Sequence, residues 1–358
     1  MVGIILYGPF ELAPYAKKYM SILTELGIEY DLIGWRRDEE AYYRGMNVFM
    51  YEGRSAGRYS SVLSKIAPAL GYRRFVKLVV KKRGYDRLII LTTQTALLIS
   101  DVLLKKYRGK YIFDYRDKSY EYIKPYSMLV NALIAASMET VISSEWFADN
   151  LTDKKKYILA HNLQKEFLSY RKSECVKKND GEKLIAGYIG ALRSYEYHKW
   201  LIDCFKNDKR FDFHIYGCGD DVERLKEYSK RLDNIFIHGA YLESEKYDIM
   251  ESFDIMCYNY PYSYVNDGAV ANKYYDSLIM KKPMFVNSKT VLGRFIAENQ
   301  MGVAVEENKF DICDKIYAWY IKFDPAEFVR TCDMYLDKYI EEDKAFYRQI
   351  KNALKMPL

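Results

Sequence analysis

Thirteen strand-length apolar runs, separated by helix-length amphipathic segments, constrain this chain more than anything else in it. Seven lie in the first half, among them "VGIILY" (2–7), "RLIILT" (87–92) and "KYIFDY" (110–115). Six lie in the second, from "LIAGYIG" (184–190) through "FDFHIY" (211–216) and "FDIMCY" (253–258) to "GVAV" (302–305). A run that is apolar at successive positions has no wet face, so both faces must be covered. Helices alternating with such runs supply that cover and predict α/β architecture with parallel sheets.

Between the two sets lies "YRKSECVKKNDGEK" (170–183), polar and turn-rich, which reads as a linker over 169–183. The chain therefore divides into two Rossmann-like domains, 1–168 and 184–337, expected to face each other across a cleft. The tail, 338–358, reads as a long helix packing back on the first domain. Ligands of such sheets bind beyond the carboxyl ends of the strands, and the loops there hold the candidate chemistry.

Charge is unevenly placed. The formal net charge is +6, but residues 1–165 carry +9 and the remainder −3. From Gly53 to Tyr85 there are nine basic residues and no acidic one. Within it, residues 61–86 mix Lys65, Arg73, Arg74, Lys77, Lys81, Lys82 and Arg83 with apolar residues, the pattern of a basic amphipathic helix that either binds an anionic membrane surface or is an ordinary surface helix of a lysine-rich protein. No recognised binding module accompanies the charge, so nucleic acid is not expected. Six cysteines without CxxC spacing indicate reduced thiols rather than a metal centre. The N-terminus lacks a basic leader, and the longest apolar run, 128–138, is too short to span a bilayer. A cytoplasmic protein, peripheral at the membrane, is expected.

Four loops of the second domain are candidates, the weakest being Ala240-Tyr241 after "NIFIHG", where Gly239 lets a base stack near the backbone. "ALRSYEYHK" places Arg193 and Lys199 after the first strand, where two cations can clamp a diphosphate or simply be solvated. "GCGDD" offers Gly217 and Gly219 for close backbone approach, or a plain turn. "NYPYSYVNDGAVANKYYD" feeds a helix whose first turn favours phosphate. Lys273 adds charge there, and Asp276, one turn deeper, can accept both hydroxyls of a ribose.

In order and spacing, "GYIGALRSYEYHK", "FHIYGCGDD", "NIFIHGAY", "FDIMCYNYP", "NKYYDSLIMKKPMFV" and "AENQMGVAV" resemble the nucleotide-sugar domain of retaining GT-B glycosyltransferases, the bacterial family 4 group, over residues 184–305. The resemblance implies a donor site at Gly190, Arg193, Lys199, Gly217, Gly219, Asp267, Gly268, Asn272, Lys273 and Asp276. In it, Arg193 and Lys199 match the diphosphate pair, and Asp276 stands where a ribose-binding Glu is usual. Where the family commonly has a second Glu, this chain has Gly268 beside Asp267.

In the first domain, "DYRDKSYEY" puts Asp114, Arg116 and Asp117 at a strand end. They read either as an internal ion pair tying loops together or as a group near the donor sugar; Asp117 is then the candidate catalytic residue, with Arg193 and Lys199. Glu11 and Glu145 are further acid–base candidates or simply helix-start acids. The implied activity is transfer of a sugar from a UDP-linked donor to a lipid-linked glycan, with retention. No DxD motif falls at a candidate phosphate site, so no metal or other cofactor is expected. A nucleotide-sugar epimerase or hydrolase, or a non-catalytic nucleotide-sugar-binding subunit, fits the same architecture.

Overall fold

The computed structural model describes residues 1–36, 47–53, 62–151, 157–173 and 183–356. It divides into two compact units, Met1–His161 with Glu341–Leu358, and Asn162–Ile340. Most of the predicted linker, 174–182, lies outside the described residues, as does the beginning of the basic segment.

Unit 1 contains β1 (Val2–Leu6), α1 (Ala16–Glu25), β2 (Tyr30–Trp35), β3 (Val48–Tyr51), α2 (Val62–Arg83), β4 (Arg87–Leu91), α3 (Thr93–Leu98), α4 (Ser100–Lys105), β5 (Tyr111–Tyr115), α5 (Lys124–Ala136), β6 (Glu139–Ile142) and β7 (Tyr157–Leu159). Its seven strands are ordered β3-β2-β1-β4-β5-β6-β7, and every pairing is parallel. All residues of β1 and β5 are buried, as two-sided apolar runs require.

Unit 2 contains β8 (Leu184–Ile189), α6 (Tyr195–Phe205), β9 (Phe211–Tyr216), α7 (Val222–Ser229), β10 (Ile235–Gly239), α8 (Lys246–Glu251), β11 (Ile255–Tyr258), α9 (Asn272–Met280), β12 (Met284–Asn287), α10 (Val291–Glu298), β13 (Gly302–Val305), α11 (Ile312–Tyr320) and α12 (Pro325–Lys355). The sheet runs β10-β9-β8-β11-β12-β13, again all parallel. On its outer strands, His214 of β9 is half-buried and His238 of β10 is exposed. Their ring nitrogens are 3.1 Å apart, and Tyr216 stacks on His238 at 4.0 Å.

The predicted tail helix is longer than the sequence pattern suggested. Asp324 Oδ1 accepts from the N–H groups of Ala326 and Glu327, and Pro325 opens the first turn, a strong start signal. From Glu341 onward this helix belongs to unit 1, where Phe346, Ile350 and Leu354 enter the core with Tyr19, Ile22 and Leu23. Lys18 fixes it electrostatically. Its ammonium donates to His161 O at 2.8 Å and pairs with Asp343, which is fully buried.

A buried ion pair is costly to break because the surviving charge stays desolvated. Asp343→Ala is expected to lower protection of the β1 amides in hydrogen exchange by about 3–5 kcal/mol. Lys351→Ala, which removes an exposed pair to Glu25, should change it by less than about 1 kcal/mol.

Candidate functional site

In unit 2 the strand order reverses between β8 and β11, so a crevice is expected beyond their carboxyl ends. The loops there are zipped together by backbone bonds. Gly190 N–H donates to Tyr216 O (2.9 Å), Leu192 N–H to Cys218 O (2.9 Å) and Gly217 N–H to Gly239 O (2.6 Å). A Cβ on Gly217 would lie 1.8 Å from Gly190 O, and one on Gly219 would lie 2.0 Å from Leu192 O. Close backbone approach is the reason for both glycines, and the loops meet there peptide against peptide.

Lys273, at the start of α9, reaches over Gly190. Its Cε and Nζ lie 3.0 Å from where a Cβ on Gly190 would be. The ammonium is buried, has no hydrogen-bond partner among the described residues, and faces the rings of Tyr188 (4.1 Å) and Tyr260 (4.9 Å). Asn272 opens the same helix, and the Ala271 N–H before it donates to Tyr258 Oη at 2.7 Å. The free N–H groups of the first turn and an unpaired cation together favour an anion. Arg193 is exposed and makes no ion pair among the described residues, and its charge reaches Tyr188 and Tyr260.

Lys199, the other expected diphosphate contact, is engaged elsewhere. Its Nζ lies 2.8 Å from Asp203 Oδ2 one turn along α6 and 4.5 Å over the Tyr228 ring. Asp203 also accepts from Lys206 (2.6 Å) and from the Tyr228 hydroxyl. Burial works to raise the Asp203 pKa, but the hydrogen bonds from Lys199, Lys206 and Tyr228 outweigh it and hold it at about 2.

Asp276 is likewise occupied. Oδ1 accepts from Tyr247 Oη at 2.9 Å, and Oδ2 lies 2.7 Å from Lys246 Nζ. Burial raises its pKa, and Lys246 and Tyr247 pull it back. Asp267 Oδ1 accepts from Val291 N–H at 3.1 Å and so anchors the start of α10. Gly268 turns through φ +80°, a region that strains any residue with a Cβ by about 1–2 kcal/mol. A glutamate at that position would carry that strain, which glycine avoids. The "KKP" after α9 also has a structural account. Lys281 takes the left-handed cap conformation (φ +54°), and Lys282 Nζ donates to Glu251 O and Phe253 O at 2.7 and 2.6 Å.

In unit 1, Asp114 and Arg116 form the internal pair. Arg116 Nε lies 2.8 Å from Asp114 Oδ1, Nη1 donates to Ala160 O (2.9 Å), and the guanidinium stacks on Tyr15 at 4.3 Å. Tyr19 Oη donates to Asp114 Oδ2 at 2.7 Å. Asp117 differs: it is exposed, yet crowded enough by protein that desolvation raises its pKa, with Arg116 pulling it down and Asp114 adding to the rise. Glu11 and Glu145 are exposed at the starts of short 3₁₀ turns.

Sequence reasoning missed Tyr188 and Tyr260, because a tyrosine in or just after a strand carries no sign of the cation it will meet. It overlooked Asp203, although the i, i+4 spacing from Lys199 was visible.

No family model and no curated protein matches the sequence. Solved structures do match its fold over nearly the whole chain. A sucrose-phosphate synthase from Thermosynechococcus elongatus has a TM-score of 0.70 at 11% identity, covering 99% of this chain and 98% of that one. HepE of Anabaena, solved with UDP and glucose, gives 0.63 at 11% identity with 99% of both chains covered. WaaG, a glycosyltransferase involved in lipopolysaccharide biosynthesis, gives 0.63 at 11% identity, covering 97% of this chain and 98% of that one. The fold is that of the GT-B glycosyltransferases. In unit 2, Gly190, Gly217, Gly219, Arg193 and Lys273 lie at the strand-order reversal, while Lys199 and Asp276 are held by protein partners.

The depressed Asp203 pKa makes a stability prediction. Its contribution is present above the ordinary value of 3.8 and is lost as pH falls towards about 2. Asp203→Asn should therefore flatten the acid limb of thermal stability between about pH 4 and 2, lowering the melting temperature at pH 6 but not at pH 2.

Proposed function

We propose that this chain is a retaining glycosyltransferase that moves a sugar from a UDP-linked donor to a lipid-linked glycan in bacterial surface polysaccharide synthesis. The observation that carries the reading is the unpaired Lys273 ammonium above Gly190 at the strand-order reversal of unit 2. Departure of a nucleoside diphosphate leaves negative charge on its terminal phosphate. Lys273, Arg193 and the first-turn N–H groups of α9 stabilise that charge. Asp117, with its raised pKa, is assigned to the donor sugar or the acceptor hydroxyl. HepE, solved with UDP and glucose, supports the choice of nucleotide, and WaaG supports the setting.

Calorimetric titration with UDP tests the site, without metal and then with Mg²⁺. Lys273→Ala and Arg193→Ala should each weaken UDP binding about 10- to 100-fold, the loss of one charge-assisted phosphate contact of roughly 1.5–3 kcal/mol. Lys199 must give up Asp203 to reach a phosphate, so Lys199→Ala should weaken it less than Lys273→Ala. Wild-type protein that ignores UDP would sink the reading.

A membrane-surface role is proposed for unit 1. A groove of about 600 Å³ between α2 and α4 has Leu70, Leu78, Val80 and Val102 in its lining and Arg73, Arg74, Lys77, Lys81 and Lys106 around them. Leu70 and Leu78 are exposed. Three of the seven expected cations are partly committed: Arg73 and Lys77 to Asp101, and Arg83 to Asp31. Arg74, Lys81 and Lys82 make no ion pair among the described residues. At about 1 kcal/mol each near an anionic leaflet they support reversible attachment at the inner face of the membrane. Sedimentation with vesicles containing about a third anionic lipid should show binding that falls at least tenfold in an Arg74→Gln, Lys81→Gln, Lys82→Gln variant. Equal binding to neutral vesicles would refute the electrostatic basis.

A second reading has one observation in its favour. Asp267 is spent on α10, and the neighbouring position is Gly268, which leaves this loop without a free carboxylate and suits a nucleotide-sugar-binding subunit without transfer activity. Release of free sugar from UDP-glucose, lost in Asp117→Asn, would favour the enzyme.

A further inference from the structure

A lysine ammonium removed from water without an acceptor is among the most costly groups to bury, and Lys273 carries one at the mouth of unit 2. Two aromatic faces hold it there. Tyr188, at the end of β8, is 1% exposed, and its hydroxyl donates to Ala191 O at 2.9 Å, which fixes the ring. His198 meets that ring edge-on at 5.1 Å. Tyr260, after β11, is fixed on two sides. Its carbonyl accepts from Asn287 Nδ2 at 2.9 Å, and its ring stands edge-on to Tyr258 at 5.5 Å. The ammonium lies 4.1 Å from the first ring centroid and 4.9 Å from the second.

We infer that Tyr188 and Tyr260 form an aromatic cage that positions Lys273 over Gly190, so that this lysine, rather than Lys199, is the principal cation for the donor diphosphate. The inference rests on the nucleotide-diphosphate reading and names two positioning residues for it. Lys199, on α6, is bound to Asp203 in a network that a ligand would have to dismantle. Lys273 has nothing to give up except the two ring faces. Those faces attract the cation through their quadrupoles but satisfy none of its N–H donors. The ammonium is thus already dehydrated and held between two rings when a phosphate arrives, and less desolvation and ordering remain to be done. A leucine in place of either ring would keep the apolar volume but leave the ammonium free to swing to solvent. A phenylalanine would preserve the cage.

The test is calorimetric titration with UDP and with uridine on wild type, Tyr260→Phe, Tyr260→Leu, Lys273→Ala and the Lys273→Ala/Tyr260→Leu double variant, each checked for folding by its melting curve. Tyr260→Phe should bind UDP within twofold of wild type and Tyr260→Leu about tenfold more weakly. The double variant should bind no more weakly than Lys273→Ala alone, because the ring then has no cation to position. Uridine, which lacks phosphate, should not distinguish Tyr260→Leu from wild type. A Tyr260→Leu protein that binds UDP as wild type does, or losses that multiply in the double variant, would overturn the cage while leaving the nucleotide site standing. Absence of any wild-type affinity for UDP would remove the nucleotide site and the cage with it. Should Tyr260→Leu fail to fold, Tyr260→Met carries the same expectation.

Discussion

The parallel bonding of β8 to β9 on one side and to β11 on the other sets everything at the unit 2 site. It places two loops that diverge in sequence at one end of one strand. The pairing continues past the strand ends through Gly190, Leu192 and Gly217, so these loops are themselves held by hydrogen bonds. Each such bond is worth only about 1 kcal/mol net, and chains held this close leave no room for a Cβ on Gly217 or Gly219. Lys273 then meets no side chain on Gly190, and the two tyrosines confine it from their own strand ends.

The strands were legible because two-sided burial writes itself into the sequence as unbroken apolar runs, and all thirteen runs became strands. The glycines of the second-domain loops were legible for a related reason, since few other residues tolerate another backbone at contact distance. Charged side chains were harder to place. Asp276 pairs with Lys246, thirty residues earlier in the chain, and no periodicity connects them. Asp114 and Arg116 could be read as either an ion pair or a ligand group, and only the positions of Tyr15, Tyr19 and Ala160 decide for the pair. The part of the site that sequence could not supply is therefore which charges the fold has already neutralised.

That distinction separates the cations of this chain into two groups. Lys18, Lys246 and Arg116 are buried with counter-charges and hold the fold together. Arg193 and Lys273 have no carboxylate partner among the described residues and are positioned at one strand-order reversal. Like charges gathered without counter-charges destabilise a protein, and a site that binds a diphosphate relieves that cost when its ligand is present. On the proposed function, occupancy by nucleotide and stability of unit 2 are linked.

The chain leaves unit 1 at His161 and returns to it at Glu341, and Lys18 bonds residues at both crossings. Unit 2 is in this sense an insertion whose two ends are pinned by one side chain. During synthesis the ribosome completes all of unit 2 before Phe346, Ile350 and Leu354 emerge to fill the core of unit 1. The domain that begins first must therefore finish last, and its exposed α1 face stays uncovered while 179 residues of another domain are made and folded.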